Sequence, residues 1–104
     1  MKRTSTRLAV LGSALAGLLS PLLLQPAQAA APAYVALGDS YSSGTGTRSY
    51  ISDGTTCQRS TQAYPSLIAT ARGYALNFRA CSGATITDVT NTQLSALTAA
   101  TSYV

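Results

Sequence analysis

Tyr34-Val35-Ala36-Leu37-Gly38-Asp39-Ser40-Tyr41-Ser42-Ser43-Gly44 is the stretch on which the reading of this chain turns. Four apolar, β-prone residues run straight into glycine, then into a serine flanked by more small residues. Glycine reaches backbone angles closed to other residues and so permits a sharp turn at the end of a strand. A serine just past that turn sits at the carboxyl edge of a sheet, where open α/β folds place their sites. Ser40 is therefore a candidate nucleophile. Yet the chain contains no histidine to activate it.

Outward from that stretch, the N-terminus reads as an export leader. Lys2, Arg3 and Arg7 form a positive region, Leu8 to Leu24 is an uncharged apolar run, and Ala27-Gln28-Ala29 supplies a small-x-small cleavage signal. The competing reading is an uncleaved anchor, since the run is nearly long enough to span a bilayer. Pro21, Gly12 and the cleavage signal count against it. The expected division is a signal peptide over 1–29, removed after Ala29, and one unit over 30–104 with no membrane span of its own. The arginines of the leader are not paired, which favours the general secretory route. The expected destination is extracellular.

The leader also distorts the composition. The whole chain carries a net charge of +4. Past residue 29 only Arg48, Arg59, Arg72 and Arg79 stand against Asp39, Asp53 and Asp88, so four arginines against three aspartates leave +1. No basic patch remains for nucleic acid and no basic amphipathic helix for a membrane surface. A unit of this size buries only about 60% of its unfolded surface. Cys57 and Cys81 are its two cysteines, in a compartment where disulfides persist. Paired, they would contribute about 3 kcal/mol in the chain-entropy model; unpaired, they would be two free buried thiols. Zinc is poorly supported, because two cysteines without histidine do not complete a tetrahedral site.

Element by element, Tyr34 to Leu37 reads as a strand, and Gly38 to Gly54 as a polar loop with a turn at Asp53-Gly54. A helix is expected from Ser60–Ala63 to Arg72, with Ser60 or Thr61 as N-cap and Pro65 in the first turn. Leu67, Ile68 and Ala71 form its expected buried stripe, and Gly73 its stop. Ala75 to Ala80 reads as a second strand with Leu76 and Phe78 on one face. A further helix follows over Thr87 to Leu97, weakened by its Thr and Asn content, and Tyr103-Val104 looks like the opening of another strand. Strand, loop, helix, strand, loop, helix is the pattern of a parallel α/β sheet. The loops at Gly38 and Gly83 both follow strands and are expected to converge at one sheet edge.

The glycines do not make a nucleotide site. No Lys-Ser/Thr pair follows the last glycine of the first loop, and Ser49 stands where a dinucleotide pattern begun by Gly44-Thr45-Gly46 needs glycine. A lone loop serine is usually only a turn residue. Here three segments in order change that weighing. Gly38-Asp39-Ser40, extended through Tyr41-Ser42-Ser43-Gly44, resembles the first block of the SGNH (GDSL-type) hydrolases, in particular their secreted actinomycete esterase/lipase branch. Cys57-Gln58-Arg59-Ser60 leading to Ala63-Tyr64-Pro65 is similar to that branch's cysteine-bearing lead into its first helix. Ala80-Cys81-Ser82-Gly83-Ala84-Thr85 resembles the second block.

The resemblance implies a three-layer, flavodoxin-like α/β fold with a parallel sheet, of which only the N-terminal part is present over 30–104. It implies that Ser40 is the nucleophile, that the Ser40 and Gly83 N–H groups are oxyanion donors, that Cys57 and Cys81 form a disulfide, and that no cofactor is used. The implied substrate is a small-molecule, lipid or carbohydrate ester. Glycine at position 83 would suit a site where a side chain would crowd the substrate. Asp39 is tempting as a triad acid, but adjacent residues rarely align that way; it is expected to accept backbone N–H bonds and hold the turn. The family's third block, with its asparagine, and its final block, with its histidine, have no counterpart, so the expectation is a truncated member inactive by itself. The alternative is a non-catalytic secreted binding remnant, with Tyr41, Tyr50 and Tyr64 stacking on sugars.

Overall fold

A computed structural model describes residues 29–104. The expected leader falls almost wholly on residues 1–28, outside the described residues.

Strand β1 (Ala33–Ala36) is the centre of the molecule. Tyr34, Val35 and Ala36 are all buried, the uninterrupted apolar run of a strand covered on both faces. Strand β2 (Ala75–Phe78) pairs with it in parallel, Ala33 opposite Ala75 and Ala36 opposite Phe78. On the other side Tyr103 bridges Tyr34 in parallel, with the Val35 N–H donating to the Tyr103 carbonyl at 2.9 Å. The expected opening of a strand at Tyr103 is thus present. Tyr74 stacks on Tyr103 with ring centroids 4.5 Å apart and meets Tyr34 edge-on at 5.9 Å.

Between the strands, α1 (Ser40–Ser43) is a single turn and α2 (Tyr64–Arg72) is the crossover helix. Helix α2 starts later than expected. Its N-cap is Ala63, without a side-chain cap, whereas Ser60 Oγ accepts from the Gln62 N–H in a preceding turn. Proline explains the shift: Pro65 lacks an N–H and is tolerated only in the first turn, so a helix capped at Ser60 or Thr61 would carry it into the interior. Gly73 ends the helix in the left-handed conformation, φ 71°.

The buried stripe of α2 also differs. Pro65 and Ala69 are buried, while Leu67 is 57% and Ile68 40% exposed and Ala71 is exposed. Ala69 packs on Tyr34 and Ala36. At about 100° per residue, Leu67 then projects roughly opposite that contact and Ile68 to its flank, and no described residue buries them.

Strand β2 alternates as expected, Leu76 and Phe78 turned towards the core and Ala75 and Asn77 outward. The last helical stretch is irregular: α3 (Ile86–Asp88), a π turn (Val89–Gln93) and a 3₁₀ turn (Leu94–Ala96). Its threonines are the cause. Thr90 and Thr92 hydroxyls donate to the Ile86 and Asp88 carbonyls at 3.0 and 2.6 Å, competing with the main-chain ladder.

Candidate active site

Gly38 leaves β1 with φ +140°, and a Cβ there would strike the Ser42 side chain. The chain then turns at once into α1, so the segment expected to be loop carries Ser40 as the first residue of a helical turn. Asp39 is the N-cap, its carboxylate accepting from the Tyr41 N–H at 3.0 Å. That is the turn-holding role expected of it. The turn closes on Gly44, φ +103°, which sits so near α2 that a Cβ would lie 2.7 Å from Ser60 Cβ and 2.9 Å from Ala63 Cβ. Buried Ser43 and Ser60 complete the joint, the Ser60 N–H donating to the Ser43 carbonyl at 2.8 Å.

The second loop is fastened to the first. Cys57 and Cys81 are bonded, 24 residues apart in sequence. The Cys81 N–H donates to the Gly38 carbonyl at 3.0 Å and the Ser82 N–H to the Cys57 carbonyl at 2.9 Å. The two glycine-bearing loops therefore do meet at one edge of the sheet. Gly83 follows two residues on, exposed, with φ +86°. A Cβ there would meet nothing within 4 Å, so among the described residues it is the left-handed backbone that favours glycine, not crowding.

Ser40 is half-buried. Among the described residues its hydroxyl has no hydrogen-bond partner, and neither the Ser40 nor the Gly83 N–H donates to any group. Two cavities open at this edge; Ser40 lines neither, and Gly83 lines the second. One of about 310 Å³ is lined by Gly38, Asp39, Ala84, Thr85, Ile86, Val89 and Thr90; the other, about 210 Å³, lies on the Cys81–Ala84 loop with Asp88, Thr92 and Gln93.

Two further residues hold this edge, and the sequence reading singled out neither. Arg59 donates from Nε to the Ala80 carbonyl at 2.8 Å and pairs with Asp53 at 3.0 Å, strapping the first loop to the end of β2. Gln93, 3% exposed, accepts from the Gly38 N–H at 2.8 Å and donates to the Gly38 carbonyl at 2.9 Å. The signal for Arg59 was its place two residues after Cys57. Gln93 lies in a Thr/Asn-rich run that gave no periodic cue.

The charged groups nearby act structurally. Hydrogen bonds from the Thr55 hydroxyl and from Arg59 hold the Asp53 carboxyl below its ordinary range. The Thr85 N–H and hydroxyl do the same for Asp88, in a capping box that starts α3. Of the tyrosines, Tyr50 accepts from the Gly46 N–H at 3.0 Å and Tyr64 donates to Ser42 Oγ at 3.1 Å, so both serve the loop; Tyr41 is 90% exposed. Among the described residues no cluster of metal-ligating side chains forms, and no helix is long and apolar enough to cross a membrane.

With this geometry in view, the chain matches curated relatives. It is similar to Streptomyces lipases. It is 50% identical over 94 residues to Lipase 1 of Streptomyces coelicolor, covering 89% of this chain and 34% of that one. With the lipase of Streptomyces rimosus it shares 51% over 72 residues, 68% of this chain and 27% of the other. Among solved structures it superposes on phospholipase A1 from Streptomyces albidoflavus with a TM-score of 0.65 at 53% identity, over 70% of this chain and 31% of that one. The extracellular lipase of Streptomyces rimosus gives 0.64 at 50%. The chain thus spans about a third of the length of these relatives, and its α/β fold is part of theirs. No family model matches it.

Proposed function

We propose that residues 30–104 carry the nucleophile and two oxyanion donors of a secreted SGNH-type carboxyl-ester hydrolase, with 1–29 its export signal. The observation that carries this reading is the meeting of two loops: the Ser40 loop, whose serine hydroxyl and N–H have no hydrogen-bond partner among the described residues, is bonded to the Gly83 loop, whose glycine N–H is likewise unengaged among them. Fixed N–H groups of this kind stabilise negative charge on an ester oxygen without reorganising.

In this mechanism Ser40 Oγ attacks the ester carbonyl and loses its proton to a general base. The carbonyl oxygen takes the negative charge and lies against the Ser40 and Gly83 amides. Collapse expels the alcohol, which takes up the proton, and leaves an acyl-Ser40. Water, deprotonated by the same base, then releases the carboxylic acid. The base is supplied by residues this sequence does not contain, because it has no histidine; a serine hydroxyl without a base is a weak nucleophile. The lipase names of the relatives make a lipid ester the favoured substrate class. The sugar-stacking alternative is weaker, since two of its three tyrosines are committed to the loop.

The test joins this chain in frame to the remaining two thirds of Streptomyces coelicolor Lipase 1 and follows p-nitrophenyl ester hydrolysis. The fusion is expected to turn over ester and Ser40→Ala to abolish it, while the bare chain shows little or no turnover. Activity surviving Ser40→Ala would remove the nucleophile assignment.

A further inference from the structure

The Gln93 side chain is the most unusual polar group in the molecule. It is buried, lies 55 residues from its partner in sequence, and uses both ends of its amide on one residue. Its Oε1 takes the Gly38 N–H and its Nε2 gives to the Gly38 carbonyl, as a neighbouring strand would. Gly38 lies just past the end of β1, and among the described residues its N–H has no main-chain ladder partner. A buried amide left without one costs about 1–3 kcal/mol.

That placement matters for chemistry. Gly38 is two residues before Ser40, and its carbonyl also receives the Cys81 N–H, two residues before Gly83. One residue, Gly38, therefore sets the relative position of both loops, and Gln93 holds the two peptide units that flank its Cα. The π turn over Val89–Gln93 widens the helix at that point and delivers Gln93 at its end, the kind of irregularity that recurs at functional sites.

We propose that Gln93 is a positioning residue for the ester hydrolysis described above, fixing the backbone on both sides of Gly38 so that the Ser40 hydroxyl and the Ser40 and Gly83 amides converge on one carbonyl. The inference rests on the assignment of Ser40. Gln93 touches no substrate and moves no proton; it acts through Gly38.

Three variants separate positioning from folding. Gln93→Met keeps the shape and removes both hydrogen bonds. Gln93→Ala removes the side chain. Gln93→Glu restores the pattern only when protonated, because a neutral carboxyl accepts the Gly38 N–H and donates its hydroxyl to the Gly38 carbonyl. In the chain itself, hydrogen exchange of Gln93→Met is expected to lose protection at Gly38 while the β1–β2 ladder keeps it. In the lipase fusion, kcat of Gln93→Met is expected to fall by about tenfold to 100-fold with KM within about twofold, since sub-ångström misplacement acts on the transition state. The kcat of Gln93→Glu, as a ratio to the parent at each pH, is expected to rise as pH falls from about 8 to about 5.5.

Parental kcat in Gln93→Met, a flat pH ratio in Gln93→Glu, or loss of protection throughout the ladder would each overturn the proposal. If Gln93→Met does not fold, the pH ratio of Gln93→Glu decides alone. Ser40→Ala is run beside them. If it stays active, the nucleophile assignment falls and the proposal with it; if it is inactive and Gln93→Met is not impaired, only the proposal falls.

Discussion

The bond between Cys57 and Cys81 is expected to be the largest single contribution to the stability of this unit. The perturbation is Cys57→Ser with Cys81→Ser, which removes the bond and leaves small polar side chains in its place. The half-cystines are 24 residues apart. In the chain-entropy model a closed loop of that size restricts the unfolded state by about 3.5 kcal/mol at room temperature. A unit of this length has a total stability on the order of 4–11 kcal/mol, so the bond accounts for a third or more of it. The native state adds to the effect, because the Ser82 N–H to Cys57 carbonyl and Cys81 N–H to Gly38 carbonyl bonds lie at the same joint. Urea unfolding of residues 30–104, oxidised against the double serine variant, measures the difference as a shift in midpoint at similar slope. A difference below about 1 kcal/mol would refute the reasoning. So would two alkylatable thiols in native material.

Three further outcomes follow from named contacts. Gly44→Ala is expected to destabilise by about 1–3 kcal/mol and more than Gly46→Ala, because both have φ near +100° but only Gly44 abuts Ser60 and Ala63; equal midpoints for the two would remove the steric argument. Asp88, whose carboxyl is held low by the Thr85 N–H and hydroxyl, supports α3 at pH above its unfolded value of about 3.8 and loses that contribution as pH falls through its lower folded value. Acid titration of helicity in Asp88→Asn should therefore show a flatter decline below about pH 4 than the parent, and an unchanged decline would count against the capping box. Arg59→Met is expected to loosen the first loop from β2, read as faster amide exchange at Ile51 and Ser60 with the β1–β2 ladder unchanged, since the guanidinium reaches both Ala80 and Asp53.

What the sequence made legible is what depends on near neighbours. Strand β1 was visible because four β-prone residues end in glycine, and Gly73 marked a helix end because only a left-handed residue closes it so. Asp39 was readable as a turn-holder from its side chain's short reach to the backbone two residues on. The error at α2 is of a different kind. Hydrophobicity alone places Leu67 and Ile68 in the core, yet a helix buries the face its neighbours cover, and the described neighbours cover Pro65 and Ala69. Periodicity gives the width of a stripe but not its direction when several apolar positions compete.

Gln93 shows why the rest of the site was not legible. Its partner is 55 residues away, and its role depends on a π turn that no spacing rule foretells. Ser40 and Gly83 stand out in sequence because the roles proposed for them restrict the residue type in particular turns. The group that holds those turns together is restricted only by geometry, and many side chains could supply it. A candidate catalytic block can thus be proposed from a single chain while its supports cannot. The supports nonetheless decide whether two separately encoded loops present their N–H groups to the same oxygen, because an oxyanion site stabilises charge only when its donors are already in place. At this sheet edge the proposed convergence would rest on one residue, Gly38, whose carbonyl takes the Cys81 N–H from one loop and whose N–H and carbonyl both bond Gln93 from the last helical stretch.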